Sequence, residues 1–310
     1  MHTLSTIPRR AFLRSAALAA LAPAGCASLA STHIDAIDAH VHVWTPDTHR
    51  YPLDAGFKQA DMKPVSFTAE ELFTHCKPEG VSRVVLIQMS YYKFDNRYML
   101  DTIAKHRGTF RGVAIVDETK PDVRDTLKTL VAQGVRGFRI YTDKEKAEAW
   151  SQSEGMKQMW SHAADAGLSI CLLMGPDALP AVQRMCQAYP RTRVVIDHFA
   201  RIGVKGSVPQ GDLDNLCRLA DFKHTYVKTS AFYALGAKRV PYTDLGPMIG
   251  RLRDSFGASR LMWASDCPFQ VQEGHTYANS IGLIRDRLSD LTAEDKRWML
   301  RKTAEKVFFS

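Results

Sequence analysis

Four side chains set the problem: His40, His42, His198 and Asp266. An imidazole can ligate a metal, polarise a carbonyl or move a proton, and a carboxylate can take a proton from water. His40 and His42 stand two apart in Asp38-Ala-His40-Val-His42, and in a strand that spacing aims both rings at one face. Two imidazoles facing a packed interior are costly unless they bind something or are hydrogen-bonded. For an isolated HxH pair, satisfied core histidines are the competing reading. Asp266 closes an apolar run ahead of Cys267-Pro268. Ionised there, it needs a cation, a donor or a reacting water, and a turn cap is its structural alternative. Arg139 and Lys228 also interrupt apolar runs. They read as an anion clamp, or as internal salt bridges with Asp38, Asp197 or Asp266.

The elements that must position these groups follow from periodicity. Short apolar runs read as buried parallel strands at Ile37–Val43, Arg83–Met89, Arg111–Val116, Val135–Ile140, Leu168–Met174, Arg193–Asp197, Tyr226–Ser230 and Arg260–Ser265. Amphipathic stretches fall between them. Thr68-x-x-Glu71 is a capping box opening the first helix, and Thr292-x-x-Asp295 caps a terminal one. Gly134 and Gly167 sit where left-handed C-caps are wanted. Eight strand–helix units are the arithmetic of a (β/α)8 TIM barrel, one α/β domain with an additional C-terminal helix. A doubly wound sheet lacks support, because no glycine-rich phosphate loop follows the first strand.

A barrel carries its chemistry at the carboxyl ends of its strands. Read there, the chain offers His40 and His42, then Gln88, Ser90, Tyr91 and Tyr92, then Arg139 and Tyr141, then Asp197, His198 and Arg201, then Lys228 and Ser230, and finally Asp266. His224 falls at the opposite end of its strand, where stability is the better reading.

Taken together, these residues resemble the amidohydrolase superfamily. Asp38-Ala-His40-Val-His42, His198 and Asp266 match its strand-one, strand-six and strand-eight positions. Val85–Tyr92 with Asp95-Asn96-Arg97, Gly134–Arg139, Val195–His198 and Ala264–Pro268 are similar to the lactonase branch. That branch includes sugar-acid lactonases and 2-pyrone-4,6-dicarboxylate lactonase. The resemblance implies hydrolysis of a small lactone with an anionic or hydroxylated skeleton. Asp266 is then the general base, with His40, His42 and His198 polarising the carbonyl. Arg139, Lys228, Arg201, Gln88, Ser90 and a tyrosine from Tyr91, Tyr92 or Tyr141 bind the substrate. The strand-five histidine that many members use as a metal ligand is missing from Leu172-Leu-Met174. His40, His42 and Asp266 could hold one Zn2+ with water completing the shell, or form a metal-free site. The alternatives are a metal-dependent decarboxylase or hydratase of the same superfamily, and a non-catalytic periplasmic barrel that only binds a sugar acid.

Residues 1–30 read as a leader: a basic stretch, an apolar run from Ala16 to Leu21 and small residues to Ala30, with no acidic side chain. Arg9-Arg10 with Phe12-Leu13 resembles the twin-arginine export motif, which implies the export machinery as a partner and a periplasmic mature chain over residues 31–310. Cys26 after Ala24-Gly25 suggests a lipoprotein cleavage site, although Pro23 stands where Leu is expected.

Composition bounds what remains. At 310 residues, 45% hydrophobic and 24% charged, the chain is neither disordered nor a multi-spanning membrane protein. Its net charge of +8 falls to +5 once Arg9, Arg10 and Arg14 are set aside with the acid-free leader. Lys and Arg are mixed with acids along the chain rather than striped, which fits an acidic small molecule better than nucleic acid. Five cysteines beyond residue 30 argue against a fully paired disulfide set. The oligomeric state is not written in the sequence.

Overall fold

In the computed structural model, residues 35–120 and 122–310 are described. The leader expected over residues 1–30 lies outside them. Eight parallel strands follow one another around a single sheet: β1 (Ala36–Val41), β2 (Val81–Ile87), β3 (Phe110–Ala114), β4 (Val135–Tyr141), β5 (Ser169–Leu173), β6 (Arg193–Ile196), β7 (Thr225–Thr229) and β8 (Leu261–Trp263). Each of the eight expected strands is present, with ends shifted by three residues or fewer. The sheet comes back on itself past the end of β8, where the Asp266 amide donates to the His40 carbonyl at 2.9 Å and the His42 amide to the Cys267 carbonyl at 2.8 Å. This is a nearly closed TIM barrel, with helices in the connections.

The helices form where apolar periodicity and caps coincide. Thr68 accepts from the Glu71 amide while Glu71 accepts from the Thr68 amide, which opens Ala69–Cys76. Gly167, at φ 65°, ends Glu154–Ala166 in the left-handed conformation that a residue without Cβ adopts freely. A short helix over Lys144–Ala149, capped by Asp143, lies in the connection after β4. The terminal helix begins at Ala293, and its later turns, Trp298–Lys302 and Glu305–Phe309, are π-wound.

Strand alternation sends one set of side chains outward to the helices and the other into the barrel. The inner set includes Ile37, Ala39, Val85, Ile87, Val113, Cys171, Val195, Tyr226 and Met262. Ala304, Val307 and Phe308 join it from the terminal helix. They plug the amino-terminal end of the barrel, and burial of a phenylalanine there contributes about 1.5–3 kcal/mol. The Arg193 guanidinium ties this plug down by donating to the Val307 carbonyl at 2.8 Å. The lower barrel is thus closed by apolar side chains, and the clustered histidines and Asp266 lie toward the carboxyl ends of the strands.

Register shifts interrupt the pairing of β1 with β2 and of β3 with β4, and the one that bears on the site lies in β1. Asp38 pairs with Val84 and Val41 with Leu86, so three steps along β1 face two along β2. The extra residue is a bulge, a device often found beside active sites. Ala39 lies in the inner cluster and Val41 in the outer one. His40 therefore stays on the inner face with His42, while Asp38 is left on the outer face. There Asp38 accepts from the His40 amide at 3.1 Å, the Ser265 amide at 2.9 Å and the Tyr277 hydroxyl at 2.7 Å. It braces β1 against β8 rather than facing Arg139 or Lys228.

Candidate active site

Of the strand exits that build the site, those after β6, β7 and β8 turn through backbone that side chains other than glycine seldom adopt. After β6, His198, Phe199, Ala200 and Arg201 have φ of 51°, 55°, 53° and 60°. Left-handed backbone costs an L-residue about 1–2 kcal/mol. Here it is held by burial of Phe199 and Ala200, with the Phe199 ring 6.2 Å from that of Phe232. One such turn puts His198 and Arg201 on the same cavity wall. After β7, Ala231 is left-handed at φ 56° and swings Tyr233 into the mouth. After β8, Asp266 is itself left-handed at φ 66°. Concentration of such strain at a polar cluster is a mark of a functional site.

The cluster is tight. Asp266 Oδ1 lies 3.4 Å from His40 Nε2, 3.7 Å from His42 Nε2 and 3.8 Å from His198 Nε2. Asp266 Oδ2 accepts from the Tyr233 hydroxyl at 2.8 Å. His42 Nδ1 donates to the Ile87 carbonyl at 2.9 Å, which leaves its Nε2 lone pair free. His198 Nδ1 meets Ser230 Oγ at 2.8 Å. Beneath them, Lys228 is fully buried, with its ammonium 3.0 Å from Asp197 Oδ1 and 3.2 Å from His40 Nδ1. Arg139 approaches Asp197 from the other side, Nε to Oδ2, at 3.7 Å.

Burial dominates the titration of these groups. It drives His40 and His42 well below the ordinary imidazole range, helped by Lys228 for the first and Arg139 for the second. It takes His198 down to about 3. The three rings are neutral at neutral pH. Burial lifts Asp266 to about 7, against the hydrogen bond from Tyr233 and the charge of Arg139. Burial also pushes Asp197 up, but Lys228, His40 and Arg139 outweigh it and hold that carboxylate well below its ordinary value. Tyr233 is raised far above the ordinary phenol range by burial and the neighbouring Asp266 charge, so its hydroxyl stays protonated.

A cavity of about 340 Å³ opens over the cluster. Its polar wall is His42, Ser90, Arg139, His198, Arg201, Tyr233 and Asp266, and its apolar wall includes Met89, Leu173, Leu235 and Phe269. The β5 position read as lacking a histidine contributes Leu173 to that apolar wall. Several residues assigned to the substrate from sequence lie elsewhere. Lys228 is sealed beneath the cavity, paired with Asp197. Gln88 is buried and donates to the Lys93 and Asp95 carbonyls at 3.3 Å and 2.8 Å, fixing the β2 loop. The Tyr91 hydroxyl donates to the Asp61 carbonyl, and the Tyr92 hydroxyl accepts from the Thr45 amide. Both brace the long loop after β1. Tyr141, the last residue of β4, is 65% exposed and stands beyond the rim. Tyr233 is not among the residues expected from sequence: it sits in a single 3-10 turn, Phe232–Ala234, too short for periodicity to point to an inward side chain.

The donor set fits a divalent ion. His40, His198 and Asp266 offer ligand atoms all within 4.8 Å of one another, so His198 stands where the sequence suggested His42. The separations of 3.2–3.8 Å around Asp266 Oδ1 and the two HxH nitrogens are close to the roughly 3.3 Å between ligands of a tetrahedral zinc. The same atoms also close into a hydrogen-bonded chain. An ammonium can only donate. Lys228 donating to His40 Nδ1 places the His40 proton on Nε2, which then donates to His42 Nε2 at 3.2 Å. Ligation by His40 Nε2 needs the other tautomer, with Nδ1–H turned to Asp197 Oδ1 at 3.6 Å.

The chain is similar to known proteins in sequence and in fold. L-fucono-1,5-lactonase of Burkholderia ambifaria is 26% identical over 77% of this chain and 82% of its own length. 4-Sulfomuconolactone hydrolase of Rhizobium radiobacter is 25% identical over 74% of this chain and 75% of its own. Among solved structures, a zinc-bound amidohydrolase from Burkholderia multivorans superposes with a TM-score of 0.71 at 18% identity, covering 88% of this chain and 99% of its own. At that identity the superposition speaks for the fold alone. The amidohydrolase family model matches residues 37–309, and the chain belongs to the amidohydrolase family.

Proposed function

We propose that this protein hydrolyses a lactone carrying an anionic group. The observation that carries this reading is Asp266, a carboxylate lifted to about 7, set against three imidazoles at the floor of a cavity lined by Arg139 and Arg201. The arginines bind the substrate anion, since guanidinium protons match carboxylate or sulfonate oxygens in pairs. The lactone carbonyl points to the imidazoles. Ser230 donating to His198 Nδ1 leaves the His198 proton on Nε2, facing the oxygen that gains charge. Asp266 takes a proton from the attacking water. A divalent ion held by His40, His198 and Asp266 would take the place of that His198 proton, with Nδ1–H turned to Ser230 and Nε2 free to ligate, and would supply Lewis-acid polarisation of the same oxygen. The lactone-opening relatives support the reaction class.

A panel of sugar-acid and dicarboxylate lactones, assayed with and without chelator, tests this reading. Ring opening of an anionic lactone is the expected result. Ligand binding without product across the panel would instead favour a binding barrel. Activity lost on chelation and restored by zinc would assign the ion a working role. We also propose export by the twin-arginine route from residues 1–30, which cell fractionation of the tagged precursor tests. Among the described residues, no helix is long and apolar enough to cross a membrane.

A further inference from the structure

Opening a lactone needs two proton transfers. Attack of water releases a proton, and departure of the ring oxygen consumes one. Asp266 accounts for the first, and the second falls to a side chain that reaches both Asp266 and the substrate. Among the described residues, Tyr233 is the one that lines the cavity and is hydrogen-bonded to the Asp266 carboxylate. His42 carries its proton on Nδ1, committed to the Ile87 carbonyl. His40 does not line the cavity, and the His198 proton on Nε2 is already given to the oxygen that gains charge. The two oxygens of Asp266 are also unlike. Oδ1 is enclosed by three imidazole nitrogens at 3.4–3.8 Å, whereas Oδ2 has the Tyr233 hydroxyl as its partner and a second lone pair to spare.

We propose that Tyr233 relays the proton from Asp266 to the leaving ring oxygen. This rests on the lactone-hydrolase reading. As water attacks, one O–H bond breaks, its proton goes to Asp266 Oδ2, and the new C–O bond turns the carbonyl into an oxyanion. Protonation of Oδ2 reverses its bond with Tyr233, so that Asp266 now donates and the phenolic proton is free to face the substrate. When the ring C–O bond breaks, the ring oxygen keeps the electron pair and takes the Tyr233 proton. The Tyr233 oxygen takes the proton from Oδ2 in the same step. Tyr233 ends as it began, Asp266 is again a carboxylate, and the product is a hydroxy acid. The loop is built for this: left-handed Ala231 and buried Phe232 fix the approach of the ring.

The test is the dependence of rate on the basicity of the leaving oxygen. Wild type, Tyr233→Phe and Tyr233→Gln are compared on lactones that leave as an alkoxide and on enol or aryl lactones that leave as a stabilised anion. Removing a general acid costs about 10²–10⁴-fold. Both variants should lose about 100-fold or more in kcat on alkoxide lactones, less than about tenfold on the activated ones, and little in KM. Gln keeps a donor to Asp266 but has no proton to pass on, so recovery of alkoxide turnover by Tyr233→Gln would reduce Tyr233 to a positioning role and overturn the relay. An equal loss on both substrate classes would overturn it too. A wild type inactive on every lactone would instead remove the lactone reading beneath it. Melting curves of both variants confirm the fold in each case.

Discussion

The Asp266 amide donates to the His40 carbonyl across 2.9 Å, and that hydrogen bond, one of two that close the barrel, also sets the base beside the imidazoles. The side chains of the same two residues lie 3.4 Å apart, Oδ1 to Nε2. Barrel closure and site assembly are therefore one event. Asp38 reinforces it by accepting from the amides of His40 and Ser265, one on each side of the seam.

Arg139 lines the cavity and its Nε lies 3.7 Å from Asp197 Oδ2. A charge-assisted bond to a substrate anion is worth about 1.5–3 kcal/mol, or roughly 10–150-fold. Arg139→Met should raise KM by a factor in that range and change kcat little, since binding is lost equally from ground and transition states. Steady-state kinetics on an anionic lactone and its neutral analogue check this on the high-pH plateau, where Asp266 is ionised and the neutral substrate should be little affected.

Lys228 and Asp197 are both fully buried, 3.0 Å apart. Removing one member of a buried pair leaves an uncompensated charge and costs about 3–5 kcal/mol. Lys228→Met should therefore lower the free energy of unfolding by about that amount in urea denaturation. Adding Asp197→Leu should recover much of the loss, because the orphaned charge goes with it. Activity should not return, since His40 Nδ1 has then lost the donor that sets its tautomer.

The pH dependence has a defined sign. Asp266 acts as a base in its carboxylate form, and its folded value is about 7. kcat/KM should therefore rise with pH through an apparent value near 7 and level off above it. The imidazoles, held below their ordinary range by burial, add no second limb between pH 6 and 9. A profile measured over that interval that falls with rising pH would contradict the assignment.

The barrel was legible because buried parallel strands are short apolar runs, and eight of them alternate with capped amphipathic helices. His40, His42, His198, Arg139, Arg201, Ser90 and Asp266 were legible because strand ends of such a barrel converge. What escaped follows from local geometry. The β1 bulge shifts alternation by one residue, so Asp38 leaves the histidine face that strict periodicity gives it. For Lys228 the sequence leaves an anion clamp and an internal salt bridge open, and its contact with Asp197 at 3.0 Å selects the second. Tyr91 and Tyr92 look like site residues by position, but their hydroxyls are spent on loop backbone. Tyr233 depends on the left-handed turn at Ala231, and an alanine gives no sequence signal for such a turn.

The most direct measurement of the central claim is turnover by Asp266→Asn on a lactone that wild type opens. Asn keeps the size and a hydrogen-bonding partner for Tyr233, but it cannot take a proton from water. Loss of the base should lower kcat by about 10²–10⁴-fold while the melting temperature and substrate affinity stay near those of wild type. Near-normal hydrolysis by this variant would contradict the account.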